Sequence, residues 1–293
     1  TADYFANLNF GKGANGFFTS SPVYYWPGDD RELTFYAYSP SQDELGADVN
    51  ITAETKEMAN FAVADSIADQ VDFITATATG TKKVNETSGV QLNFKHQLSQ
   101  IELMARTDNK AYKYEVAGMR IGRAQFMGTF DFGTSKWTLD DWHDTAVYTS
   151  YCTPTTLGSD AVSIMGPSGN AMLIPQTLTP WNPIDDPDNV AREAYLSVYV
   201  RVTTADGDLI YPYPNEVKKR TYGWVSIPLD GTWEAGKRYV YTLDFTNGSG
   251  YTDPDDPVPG IPVLQGDIKF SVNVEDWVNT PIDKSMEATQ HKK

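Results

Sequence analysis

Tyr195-Leu196-Ser197-Val198-Tyr199-Val200-Arg201-Val202-Thr203 alternates without a fault. Leu196, Val198, Val200 and Val202 fall on one side, and Tyr195, Ser197, Tyr199, Arg201 and Thr203 on the other. A period of two belongs to extended chain, whose successive side chains point to opposite faces. The stretch therefore reads as a strand with one side on a core. The same rhythm returns from Arg238 to Phe245, where Tyr239, Tyr241, Leu243 and Phe245 share a side. It returns again from Ile268 to Glu275, where Ile268, Phe270, Val272 and Val274 alternate with Lys269, Ser271, Asn273 and Glu275. Shorter versions are Val90, Leu92 and Phe94, and Leu33, Phe35 and Ala37.

Turn chemistry separates these runs. Pro27-Gly28-Asp29-Asp30, Asp206-Gly207-Asp208 and Asp230-Gly231 supply residues that tolerate tight turns. Many short alternating strands with turns between them describe an all-β protein of the sandwich type. Helix is scarce. The one candidate is Glu54 to Ala68, with Met58, Phe61 and Ala62 at helical spacing.

The chain has 293 residues, too many for one ordinary sandwich and comfortable for two. A strand signal over Phe130 to Leu139 is followed by the polar run Asp140-Asp141-Trp142-His143-Asp144 and, after Tyr151, by Thr153-Pro154-Thr155-Thr156. That places the expected break near Thr149, giving domains 1–148 and 149–293. Two further loops stand out. Pro180 to Pro187 is rich in proline and aspartate, and Gly248 to Pro262 has no packing pattern and reads as an extended connection.

Lys and Arg number 23 against 39 Asp and Glu, a net charge of −16. Phosphate backbones need a basic face, so a nucleic-acid partner is not expected. No run approaches the ~18 apolar residues a spanning helix requires. The first residue is Thr1, with no Met and no signal peptide, which reads as a mature or trimmed form.

The chemistry available is thin. Cys152 is the single cysteine, expected as a small buried hydrophobe. His96, His143 and His291 are the only histidines, and no nucleophile-elbow or zinc signature accompanies them. His143 among Asp140, Asp141 and Asp144 reads as a solvated loop, with cation binding the alternative. Asp253, Asp255 and Asp256 share a loop that offers calcium ligands in principle, but its spacing is not that of an EF-hand, and a solvated acidic linker is the preferred reading. Tyr24, Tyr25 and Trp26 read as a strand end packed on the core, with a sugar-stacking platform as the alternative. Paired carboxylates for glycoside hydrolysis sit roughly 5 to 9 Å apart in space, which spacing along the chain does not report. No catalytic residue, cofactor or metal site is assigned.

Several blocks together carry a resemblance. They are Pro22-Val23-Tyr24-Tyr25-Trp26-Pro27 with Leu33-Thr34-Phe35-Tyr36-Ala37-Tyr38-Ser39-Pro40; Leu92-Asn93-Phe94-Lys95-His96-Gln97-Leu98-Ser99-Gln100-Ile101; and Leu173-Ile174-Pro175-Gln176-Thr177-Leu178. Trp233-Glu234-Ala235-Gly236-Lys237-Arg238-Tyr239-Val240-Tyr241-Thr242-Leu243 and Ile268 to Trp277 complete the set. In this order the blocks resemble the fimbrillin-like family, from about Tyr4 to Trp277.

The resemblance implies two tandem transthyretin-like Greek-key sandwiches and a structural or adhesive role in a type V pilus at the cell surface. It implies export as a lipid-anchored precursor across the outer membrane, N-terminal trimming, and strand exchange with other pilus subunits. A surface receptor or glycan is a further implied partner. Under it, His96 is a strand-start residue. Ile268, Phe270, Val272, Val274 and Trp277 are either the exchanged strand or the last core strand. Asp65-Ser66-Ile67 and Asp144-Thr145-Ala146 resemble an O-glycosylation pattern, with Ser66 and Thr145 as acceptors. A carbohydrate-binding sandwich module and a glycoside hydrolase are the competing expectations.

Overall fold

The structure is a computed structural model that describes residues 4–13, 16–140, 145–213, 220–264 and 267–278. In chain order the strands begin with β1 (Phe10–Lys12), β2 (Phe18–Ser20), β3 (Leu33–Ser39), β4 (Asn50–Thr52), β5 (Glu57–Ala62), β6 (Ile74–Gly80) and β7 (Lys95–His96). There follow β8 (Ser99–Arg106), β9 (Tyr112–Gln125), β10 (Met127–Asp131), β11 (Lys136–Leu139), β12 (Thr145–Thr156), β13 (Val162–Ser163), β14 (Ala171–Leu173) and β15 (Thr177–Leu178). The last are β16 (Tyr195–Thr204), β17 (Leu209–Tyr211), β18 (Gly223–Pro228), β19 (Gly231–Thr232), β20 (Lys237–Asp244), β21 (Tyr251–Thr252) and β22 (Lys269–Asp276). The fold is all-β, with only short helical turns among the described residues.

Two layered units result. In the first, β11-β10-β5-β4 faces β3-β6-β7. Its core is aromatic: Phe73 meets Phe130 edge-on at 5.2 Å between ring centres, and Phe61 lies 5.2 Å from Trp137. Edge-to-face rings suit the quadrupoles of aromatic faces and rims. In the second unit the larger sheet runs β12-β9-β16-β18-β21, with β17 also on β16. The other sheet runs β13-β8-β20-β22, with β14 also on β8. β8 and β20 are parallel; the remaining pairs are antiparallel. Leu196, Val198, Val200 and Val202 of β16 are buried against Ile101, Leu103, Tyr241 and Leu243 in one continuous core.

Strand pairing links the two sides of the break expected between 148 and 149. β12 runs straight through that point, and β8 and β9 pair with strands far downstream. The chain crosses from the first unit to the second at Gln97–Leu98, between β7 and β8, and returns at Phe126, between β9 and β10. Trp137 fastens the first crossing by donating its indole N–H to the Gln97 carbonyl at 2.7 Å. A polar run is a boundary signal only where the chain makes one passage, and here it makes several.

The helix expected over Glu54 to Ala68 is instead β5 and its flanks. Opposite it, Gly128 pairs Phe61 and Phe130 pairs Met58, so Ala59 and Asn60 face the single residue Thr129. Asn60 takes the left-handed φ of 59°. This β-bulge puts Met58 and Phe61 on one face three residues apart, a spacing that imitates a helix. The Val90–Phe94 alternation is likewise not a strand; pairing begins only at Lys95.

Candidate functional site

β22 lies at the edge of its sheet and pairs with β20 over eight residues, from Lys237 opposite Asp276 to Asp244 opposite Lys269. Residues opposite one another share a face. Phe270, Val272 and Val274 therefore lie on the same face as Leu243, Tyr241 and Tyr239. The β20 residues are buried, yet Val272 is 40% exposed and Val274 50% exposed. The core thus ends beneath β20, and β22 overhangs it. Its outer edge has no strand partner among the described residues. An unpaired, apolar edge is a template for another strand.

The ends of β22 differ from its middle. Ile268 is buried before it. Beyond it, Trp277 lies parallel to the ring of His96, 3.9 Å between centroids and 6° between planes. His96 is buried in β7, with Nδ1 2.8 Å from Asp72 Oδ2. Burial pushes the Asp72 carboxyl above its ordinary range, and the contact with His96 opposes that. Lys237–Asp276 at 2.6 Å and Arg238–Glu275 at 3.1 Å pair across the strands.

The segment before β22 corrects the expectation of a loose acidic linker. Asp253 is 1% exposed. Its carboxylate accepts from Ser197 Oγ at 2.8 Å, Ser226 Oγ at 3.0 Å and Arg120 at 3.2 Å. A buried charge is tolerated when its lone pairs are all engaged, as here. Arg120 also reaches Asp255 at 3.7 Å, and Asp256 pairs with Arg220 at 3.0 Å. These carboxylates meet guanidinium groups, so 251–264 is a strap bound across the outer face of the larger sheet.

That outer face also carries aromatic rings. Tyr151, Gly118, Tyr199 and Trp224 stand in one register across β12, β9, β16 and β18. Tyr199 lies 4.7 Å from Trp224, and Tyr151 lies 5.9 Å from Tyr199. Glycine at 118 leaves room for this row: a Cβ there would sit 2.7 Å from Ser150 O and 3.0 Å from Tyr151 Cδ1. Arg120 covers Trp224 at 4.1 Å. Tyr222 donates to Glu115, and burial together with that bond raises its hydroxyl to about 12. One end of the same face is closed by Trp181, which packs on Tyr195 at 5.9 Å. The end holding Tyr151 is open.

The aromatic block expected in the core is not there. Tyr25 is 78% exposed and Val23 is exposed; Tyr24 is exposed with Phe5 against it, and Trp26 is partly covered by Phe35. Trp26 lies against β3 and β6, whereas Tyr24 and Tyr25 stand at the surface. Cys152 is half-buried rather than buried, and that partial burial raises its thiol. Ser66 is exposed, whereas Thr145 Oγ1 is buried without a polar partner among the described residues. His143, Asp141, Asp144 and His291 lie outside the described residues.

Sequence reasoning marked β22 but missed the Trp277–His96 stack, the Asp253 strap and the outer ring row. Each joins residues from distant strands. The one local signal was the Tyr195, Tyr199 side of β16, which is too aromatic for a plain solvent face.

A search of the curated proteins returns no match. Among solved structures, a candidate cell adhesion protein from Bacteroides uniformis is 15% identical, with a TM-score of 0.45, over 94% of this chain and 87% of that one. Another, from Parabacteroides distasonis, is 12% identical, with a TM-score of 0.46, over 92% of this chain and 88% of that one. A third, from Bacteroides ovatus, is 18% identical, with a TM-score of 0.42, over 92% and 79%. The profile of the fimbrillin-like family matches residues 1–277, nearly the whole chain, and the protein belongs to that family of structural, non-enzymatic proteins.

Proposed function

We propose that this chain is a subunit of a type V pilus that joins its neighbours by strand exchange, with β22 as the exchanged strand. The observation that carries the reading is the overhang of β22. Its apolar side is regular, yet Val272 and Val274 stay about half exposed. The middle of the strand, which gains little burial at home, loses little by leaving. In a neighbour's groove the same side chains are covered, and the ladder hydrogen bonds are remade. N-terminal trimming of the acceptor, lipid anchoring of the precursor and export to the cell surface belong to the same reading through the family. So does O-glycosylation, for which Ser66 is the accessible acceptor.

Thr242 and Ser271 are opposite one another on β20 and β22. A Thr242→Cys, Ser271→Cys variant, oxidised, ties β22 to its own subunit. Assembly with trimmed partner subunits, read as detergent-resistant ladders, should stop in the oxidised protein and return on reduction. Ladders of equal yield in both states would exclude β22 as the exchanged strand.

A second reading, carbohydrate binding at the outer face, has one observation in its favour: the open row of Tyr151, Tyr199 and Trp224 beside Arg120 and Glu115. Flat rings suit the apolar faces of sugars, and the charged rim suits their hydroxyls. A glycan array would report it, and Tyr151→Ala or Tyr199→Ala should weaken any hit about tenfold. Binding unaltered by both changes would place the sugar elsewhere.

A further inference from the structure

We propose that the stack of Trp277 on His96 is an autoinhibitory latch, holding β22 on its own subunit until a neighbour's groove competes for it. The purpose of the latch rests on the strand-exchange reading above; its existence rests on geometry alone.

β22 is fastened unevenly. Its first end follows the strap, which is fixed by buried Asp253 and Val263 and by the Val263 N–H donating to the Gly250 carbonyl at 2.9 Å. Ile268 is buried, with Cδ1 against Gly250. The middle is the exposed stretch around Val272 and Val274. At the last end, Trp277 donates its backbone N–H to the Gly236 carbonyl at 2.8 Å and lays its indole on His96.

His96 is a firm base for that contact. It belongs to β7 of the first unit and pairs with Ile74 of β6. Its ring is buried with Nδ1 against Asp72, and Nε2 has no polar partner among the described residues. Trp277 thus ties a strand of the second unit to a ring fixed in the first.

Edge strands fray from the end that is least anchored. The strap holds the Ile268 end, so β22 peels from the Trp277 end. The stack is then the first large contact to break. The ion pairs of Asp276 and Glu275 lie at the same end, but exposed pairs of this kind hold little.

Hydrogen exchange measured on the whole chain tests the latch. Trp277→Ala should speed exchange of those 269–276 amides that bond β20 about tenfold, the loss expected for one well-stacked aromatic contact. His96→Gln, which removes the ring beneath the indole, should do the same. Trp277→Phe, which keeps a ring there, should retain most of the protection. β8 and β16 should stay protected throughout. Unchanged exchange of β22 in Trp277→Ala overturns the latch. So does lost protection across β8 and β16, which would make Trp277 a determinant of the fold. Faster β22 exchange should bring faster joining of trimmed subunits. If exchange quickens while joining does not, the latch stands and the strand-exchange reading fails.

Discussion

A Val272→Asp, Val274→Asp double variant is expected to fold normally and to form no polymer. Both valines are about half exposed in the free subunit. Substitutions at such positions change stability by about 0.5 kcal/mol each. In a partner's groove the accounting reverses. Full burial of Val272 and Val274 there contributes roughly 1.5 to 3 kcal/mol per side chain, an upper bound of ~3 to 6 kcal/mol gross, before the entropy of association. Two carboxylates in their place forfeit this gain and add the cost of burying unpaired charge. A net loss of about 5.5 kcal/mol already weakens joining about 10⁴-fold. The control is Ser271→Asp, Asn273→Asp, which adds the same charge to the other side of the strand. Thermal unfolding and ladder formation, measured together, separate the cases. Polymers from the valine variant, or none from the control, would mean that the apolar face of β22 is not what enters a neighbour.

Asp253→Ala is expected to destabilise the free subunit by about 3 kcal/mol, the low end for breaking a buried ion pair. The low end applies because Arg120 keeps Asp255 at 3.7 Å and the face of Trp224. Ser197 and Ser226 keep each other at 2.7 Å. For a chain of this size the melting temperature should fall by roughly 6 to 12 °C. The loss acts through the strap, so 251–264 should become sensitive to proteolysis before the body of the sheet does. A shift under 1 °C would show that the strap is held by its backbone contacts alone. Arg120→Met with Asp253→Leu removes both charges and should recover part of the loss, since the cost lies in the orphaned partner.

How much was legible in the chain varies by element. β16, β20 and β22 stood out because each has one face on a core, and strict alternation follows from the pleat. β5 misled for a physical reason: its bulge at Asn60 adds a residue and turns a period of two into an apparent period of three. Tyr24 and Tyr25 misled because aromatic composition reports a wish for burial, not whether the fold grants it. Gly248 to Pro262 misled because its anchors belong to β9, β16 and β18.

The amino-acid order alone determined that the protein is built of strands, which side of each long strand is apolar, and which family it resembles. Those properties are local, fixed by alternation and by short blocks. Tertiary structure alone decided how the chain weaves between the two units, where the core stops short of β22, and which ring Trp277 lies on. Each of these depends on residues brought together across the fold, and no rule of spacing along a chain encodes a distance between strands that have yet to pair.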